Sequence, residues 1–530
     1  MPTVLSYSHY PHLALTRPVS TVDSQPEAAT DDNTPQLEGA MTGEWKLGNL
    51  AVEVLGEIMS QALPSRWMDH KDRKQLAQFC LVSRQWRDAA HQTHSLWGHN
   101  IIRLPFKPRS HTQASRWISR SLNSPSGLHI VTSQACKCTQ NLIRPDCHWR
   151  KPSLIMLLES GPRIAHLSLA TWNPMCFHHL LRFLQGPMSF WRPPKTMGFE
   201  VGQWNPREPF NPNIPNSLES LCLTLPSIAT CGTDIKATQL HLQGCLLWQL
   251  TNLVITCDWG GGQIAGVLLS CANLECLEIR FAHNGLQYPP DFWESVASIA
   301  PQAPSLQPTI ILSKLRTLRL CNITPHAISS TGALECLKAP SLVALHIHLK
   351  VMGVPEHSVW GMVRGLTTNV NRHGPSHVLP AKLLSLGFSN IKFTSARDLV
   401  DILSTIPSLK HLILQQCFYD AYIFSVTQMS LRVPFLPHLE HLELLYVTEE
   451  FRRQLEYVFR YLKERRPHHY HIYPQDIAEI EFDGPPDSFK KLTLSYRAND
   501  ALTESVYSTS PTLTELRRYF ALDIDRSFCL

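Results

Sequence analysis

One pattern limits what this chain can fold into more than any other: Leu-x-x-Leu-x-Leu, returning along most of its length. Strict copies are Leu218-Leu221-Leu223, Leu315-Leu318-Leu320, Leu409-Leu412-Leu414 and Leu439-Leu442-Leu444. Copies that admit Ile or Phe are Ile164-Leu167-Leu169, Leu250-Leu253-Ile255, Leu274-Leu277-Ile279, Leu342-Leu345-Ile347, Leu383-Leu386-Phe388 and Phe489-Leu492-Leu494. On a strand, side chains two apart share a face, so each copy puts its last two apolar residues on one side. A single strand of this kind cannot bury its own apolar face. Several must stack, each followed by a helix or loop that returns the chain over the outside.

A leucine-rich chain yields some such matches by chance, so context has to carry the argument. Pro340, Pro407 and Pro437 each precede a copy, as a stop signal should. Between copies lie apolar helical stretches. Ser395 and Asp398 are placed to cap a helix carrying Leu399, Ile402, Leu403 and Ile406, which leads directly into Leu409. Spacings are irregular, from 24 residues (Leu250 to Leu274) to 41 (Leu274 to Leu315), so some units carry insertions. Two are expected around Gly285–Pro290 and Asn369–Pro380. Ala237-Leu240-Leu242-Cys245 is a further candidate strand, but it starts only 13 residues before Leu250, too close for a full unit. Upstream, Gln113–Ser121 reads as a helix and Gly127–Thr132 as a strand. Downstream, Glu449–Arg465 reads as a helix burying Phe451, Leu455, Val458, Phe459 and Leu462. The basic residues Arg452, Arg453, Arg460, Lys463, Arg465 and Arg466 fall on its solvated side.

The N-terminal part follows different rules. Residues 1–43 are rich in Pro, Ser, Thr and Asp without periodicity and are expected to be disordered. From Leu50 onward, Leu50, Ala51, Val54, Leu55, Ile58, Met59, Ala62 and Leu63 recur at helical spacing. Asn49 is the expected N-cap, Glu53 suits the positive end of the helix, and Pro64 ends it. A second helix is expected at Gln75–Val82. Ser83 is placed to cap a third, on which Trp86, Ala90, Thr93 and Trp97 share a face. The connection from Pro64 to Lys74 reads as a long polar bulge. Periodicity by itself predicts a three-helix bundle with an aromatic core.

The order of residues says more. Leu50-Ala51-Val52-Glu53-Val54-Leu55, then Leu81-Val82-Ser83-Arg84-Gln85-Trp86-Arg87, then Leu96-Trp97, resembles the F-box, a small helical module that docks onto the Skp-family adaptor of a cullin ubiquitin ligase. It departs from the family in having Ala51 where Pro usually stands and in the length of the first connection. The array beyond it resembles the divergent leucine-rich region that follows the F-box in many fungal proteins, and Leu409–Cys417 fits a leucine-rich consensus ending in Asn or Cys. The resemblance implies an α/β fold: a small all-α three-helix F-box over 44–104, then an irregular leucine-rich-repeat-like α/β solenoid over 105–500, with a peripheral tail at 501–530. It implies that Leu50, Val54, Ile58, Leu81, Val82, Trp86, Leu96 and Trp97 either build the module or face the adaptor. It further implies a substrate receptor, not an enzyme: adaptor and cullin on one side, a client protein on the repeat surface.

Other chemistry is thinly represented. Net charge is +5, spread along the chain, which argues for neither a nucleic-acid nor a membrane partner. No apolar run approaches the roughly 18 residues of a spanning helix, and the first residues lack the features of a signal peptide, so an intracellular location is expected. The fifteen cysteines have no regular spacing and are expected to be reduced. Cys136-Lys137-Cys138 followed by Cys147-His148 offers four zinc-type ligands within thirteen residues, but at a spacing unlike the usual knuckles. The favoured reading is a loop with incidental cysteines, and no metal or cofactor is expected. Cys176-Phe177-His178-His179 and His468-His469-Tyr470-His471 are weaker candidates still. Trp259-Gly260-Gly261-Gly262 precedes a helix but lacks the Lys and Ser/Thr of a nucleotide loop, so a turn is the reading preferred.

Overall fold

The computed structural model describes residues 50–496, with breaks of which the longest are 203–213, 227–241, 282–309, 324–336, 367–381, 425–435 and 463–488. The expected insertions at 285–290 and 369–380, the basic residues of 452–466, the four residues 468–471, both chain ends and most of the candidate strand at 237–245 lie outside the described residues.

Three helices open the fold: α1 (Val52–Ala62), α2 (His70–Val82) and α3 (Arg84–Gln92), followed by a single 3-10 turn at His94–Trp97. Their core is Leu55, Met59, Leu76, Ala89, Ala90, Leu96 and Trp97. Helix α1 has Ala51 at its N-cap, with no side-chain bond; Asn49 lies outside the described residues. Helix α2 starts at His70, five residues earlier than its apolar spacing predicts. A capping box starts it. Asp69 Oδ1 accepts from the amides of Lys71 (2.6 Å) and Asp72 (3.0 Å), and Asp72 Oδ2 accepts from the Asp69 amide (2.9 Å). The expected long bulge is therefore helix over its last five residues, His70 to Lys74. The Ser83 cap holds as expected: its Oγ accepts from the Trp86 amide at 3.2 Å.

Among the described residues, the rest is built on one thirteen-stranded, wholly parallel sheet. Its strands are β1 (His99–Leu104), β2 (Gly127–Thr132), β3 (His166–Thr171), β4 (Thr196–Val201), β5 (Ser220–Thr224), β6 (Asn252–Cys257), β7 (Cys276–Phe281), β9 (Thr317–Ile323), β11 (Ala344–Gly353), β12 (Ser385–Ile391), β13 (His411–Gln415), β14 (His441–Val447) and β15 (Lys491–Tyr496), in chain order across the sheet. A separate parallel pair joins β8 (Ile310–Ile311) to β10 (Leu337–Lys338). All ten leucine motifs become strands of the large sheet.

Pairing register explains the motif. The middle leucines align as one ladder, Leu221, Leu253, Leu277, Leu318, Leu345, Leu386, Leu412, Leu442 and Leu492, and the third positions as another, from Leu223 through Ile255, Ile279, Leu320, Ile347, Phe388, Leu414 and Leu444 to Leu494. A parallel pair with unchanged register places like residues over like, so each unit extends the same apolar column. The middle-row leucines are fully buried. Against this face pack helices α4 (Pro108–Ser119), α5 (Pro152–Ser160), α6 (Pro174–Leu184), Gly261–Leu268 and Ala396–Ser404, whose apolar residues join the same core. Leu399, Ile402, Leu403 and Ile406 are buried as the spacing requires, as are Leu455, Val458, Phe459 and Leu462 further on.

Three strands escape the motif. In β2, Leu128 and Ile130 hold the two ladder positions, with Pro125 where the first leucine would stand. In β4, Met197 and Phe199 hold the two ladder positions; in β1, Asn100 and Ile102 do. Strand β1 also falls within the span 44–104 read as helical module; its last six residues belong to the sheet. Cys245, taken as the end of a strand, lies in the helix Gly244–Gln249. Past the third ladder position the chain repeatedly enters the left-handed region, at Asn322, Asn390, Gln416 and Tyr446, each two residues on from its ladder leucine or phenylalanine. That kink ends the regular pairing. Asn390 also uses it to donate from Nδ2 to the Leu349 carbonyl at 2.8 Å.

Helical module and sheet meet at Trp67 and Met68. The Met68 amide donates to the His99 carbonyl (2.9 Å) and the Ile101 amide to the Met68 carbonyl (3.0 Å), so Met68 pairs with the outer edge of β1.

Candidate interaction surfaces and a cysteine cluster

The eight residues singled out in the helical module divide into two groups. Leu96 and Trp97 are buried; they build the module and are unavailable to a partner. Trp97 donates from Nε1 to the Ala90 carbonyl at 2.7 Å, stacks on His91, meets Trp117 edge-on and lies under the Arg120 guanidinium at 4.6 Å. Leu50 and Trp86 are half-buried and pack on the same core, Trp86 beside Phe79, while Gln85 Nε2 holds the Leu50 carbonyl at 2.6 Å. Val54, Ile58, Leu81 and Val82 are exposed, Leu81 by 84%. The apolar stripe of α1 is thus split: Leu55 and Met59 face inward, Val54 and Ile58 outward. Leu81 and Val82 are two adjacent apolar side chains in water at the end of α2, where the chain gains nothing from them internally.

The second surface is the face of the sheet opposite the leucine ladders. Its rows carry unlike residues. Across β6 to β14 the row between the two ladder positions reads Val254, Glu278, Arg319, His346, Gly387, Ile413 and Glu443. Glu278 binds Arg280 at 2.5 Å and approaches Arg319 at 4.0 Å. Glu443 accepts from His411 Nε2 at 2.8 Å, and this bond holds its carboxyl below the usual range. Burial makes His346 and His348 harder to protonate than a free imidazole. The face is polar and mixed in charge, and its ion pairs join residues two apart on β7 or side by side on neighbouring strands. Sequence reasoning missed these rows because no shared residue type marks them; only the strand alternation around each motif points to them.

At the β1 end, Trp67 covers that face. Its ring lies 5.2, 5.6 and 5.3 Å from the rings of His99, His129 and His166, one from each of the first three strands. A Cβ added at Gly127 would come within 2.9 Å of Trp67 and 2.6 Å of His99, so only glycine leaves room for the ring. His129, under this cover, accepts or donates at Nδ1 with Ser168 Oγ at 2.8 Å. Burial, with His166 and Arg103 nearby, pulls its pKa down to about 4.

A third feature lies in the core between β2 and α6. Cys136, Cys138 and Cys147 come together, as their spacing allows, but the fourth member is Cys176 of α6 and not His148. All the described cysteines are free thiols.

No helix among the described residues is long and apolar enough to cross a membrane. No protein-family model matches the chain, and no curated protein matches it. Among solved structures, an internalin from Listeria monocytogenes aligns over 62% of this chain and 76% of its own, at 11% identity and a TM-score of 0.25. The long parallel sheet with its leucine ladders is a solenoid-like arrangement of leucine-rich repeats on a mixed α/β fold.

Proposed function

We propose that this chain is the substrate-recognition subunit of an SCF-type ubiquitin ligase acting inside the cell. The helical module binds a Skp-family adaptor, and through it a cullin, while the open face of the sheet binds a client protein. One observation carries this reading. Of the residues that the F-box resemblance assigns to the module, Val54, Ile58, Leu81 and Val82 are solvent-exposed apolar side chains on an otherwise well-packed bundle. Such side chains on a small helical unit mark a docking surface. The mixed-charge face supports the second half, since complementary polar surfaces give selectivity for a partner. No residue of this chain is assigned covalent chemistry. Its contribution is proximity: a client lysine held near a charged conjugating enzyme meets it at high effective concentration.

Co-expression of the full chain with a Skp-family adaptor tests this. Wild-type protein is expected to co-purify with adaptor and to pull down cullin, and Leu81→Asp with Val82→Asp to lose both while keeping its melting temperature. A folded wild-type chain that leaves the adaptor unbound removes the ligase reading. Adaptor bound without cullin favours a leucine-rich-repeat interaction scaffold without a ligase role.

A further inference from the structure

The four sulfurs of Cys136, Cys138, Cys147 and Cys176 all lie within 4.8 Å of one another. The last three residues are buried and Cys136 is half-buried. Zinc bound by four thiolates has bonds of about 2.3 Å, which sets sulfur–sulfur edges of about 3.8 Å in a tetrahedron. Cys147 and Cys176 are separated by 3.9 Å, close to that edge. Cys136 and Cys138 are 3.0 Å apart, shorter than a tetrahedral edge and well beyond the roughly 2.05 Å of a disulfide. Four free thiols gathered in an apolar core, two of them two residues apart, have no packing reason to converge from three separate segments.

The surroundings hold the segments in place. Asn173 caps α6, accepting from the Met175 amide at 2.9 Å, and its Nδ2 donates to the carbonyls of Cys136 (2.9 Å) and Cys138 (2.7 Å). One side chain therefore ties the Cys136–Cys138 segment to the helix that carries Cys176. The backbone of Arg144 bonds the Cys138 sulfur and that of Trp149 bonds the Cys147 sulfur, the kind of amide support that orients metal thiolates. Trp149 and Phe177, edge-on at 5.4 Å, and the buried Leu154 and Leu180 belong to the same apolar core.

We infer that Cys136, Cys138, Cys147 and Cys176 form a closed four-thiolate site for a structural zinc ion. Four protein ligands leave no open position, so the ion serves structure and not catalysis. It fastens the excursion between β2 and α5, which carries three of the cysteines, onto α6. Because thiols must lose protons to bind, uptake releases protons and weakens in acid.

The test uses the full chain purified without chelator. Elemental analysis is expected to give one zinc per chain, and exchange with Co2+ to give the absorption of tetrahedral cobalt thiolate. His148→Ala is expected to keep that spectrum. Cys176→Ser is expected to lose or shift it, as the fourth sulfur is replaced. Removing metal from the wild type with a strong chelator is expected to lower its melting temperature and to expose the four thiols to alkylation, a readout independent of whether any variant folds. The proposal is overturned by protein that is folded, metal-free and unable to take up Zn2+ or Co2+. It is equally overturned if His148→Ala abolishes the cobalt spectrum while Cys176→Ser retains it, or if the reduced and purified protein carries a disulfide among the four.

Discussion

Acid should weaken the first strands of the sheet through one residue, His129. Its folded pKa is about 4, below the free value because burial disfavours the imidazolium and His166 and Arg103 repel it. The unfolded chain titrates near 6.5. A lowered histidine pKa means that its contribution to stability is full above about 6.5 and is lost as pH falls toward about 4. At about pH 5 the unfolded form is almost wholly protonated and the folded form only about a tenth, which favours unfolding by about 2 kcal/mol. His129 is half-buried, and solvent screening brings the expected loss nearer 1 kcal/mol. The perturbation is His129→Gln, which keeps a hydrogen-bonding group for Ser168 but has no proton to gain. Hydrogen exchange of β2 peptides, corrected for the intrinsic pH effect, reads the local opening free energy at about pH 7.5 and about pH 5. Wild-type β2 should lose about 1–2 kcal/mol more than the variant between those conditions. His346, His348 and Glu443 titrate in both chains, so the double difference removes them. Equal pH dependence in the two proteins would refute the reasoning.

Other consequences follow from burial and backbone. Leu277→Ala, fully buried in the middle ladder, should cost about 3–5 kcal/mol; loss of exchange protection should centre on β6, β7 and β9 and spare β1, since stacked units contact only neighbours. Leu81→Ala should leave the melting temperature within the shift for about 0.5 kcal/mol, whereas Trp97→Ala should cost about 3–5 kcal/mol, and differential scanning calorimetry separates the two. Gln416 sits at φ 49, so Gln416→Gly should raise stability by up to about 1 kcal/mol. Asn390→Ala should lower it by about 1–2 kcal/mol, as the bond to Leu349 and the tolerance for that conformation go together.

Leucine motifs were readable because parallel pairing puts equivalent positions in one column, and a column must be apolar in every unit. Where the column admits Asn100, Met197 or Phe199, the strand vanishes from the pattern although the pairing is unchanged. Helix α2 shows the opposite difficulty. Its first turn is started by two aspartates and not by an apolar stripe, so periodicity begins too late. In the helical module, spacing identified the apolar residues but not which of them a partner would need. Val54 and Leu55 are neighbours in sequence, one exposed and one buried, and only the packing of three helices separates them. Cys176 stood out only within its own Cys-Phe-His-His run, and its place beside the other three cysteines was hidden for a similar reason. It lies 29 residues beyond Cys147 on a helix, and only the fold brings it back.

The backbone pairing of Met68 with β1 bears on how the molecule behaves in company. A parallel sheet of thirteen strands ends in edges whose amides and carbonyls are templates for further strands. At the β1 side, the segment between α1 and α2 occupies that template, with Trp67 lying over the first three rows. The helical unit is therefore also a lid on the sheet's growing end. A chain trimmed to begin at β1 would bare a ready acceptor for a second copy, and it is expected to associate edge to edge more readily than the full chain.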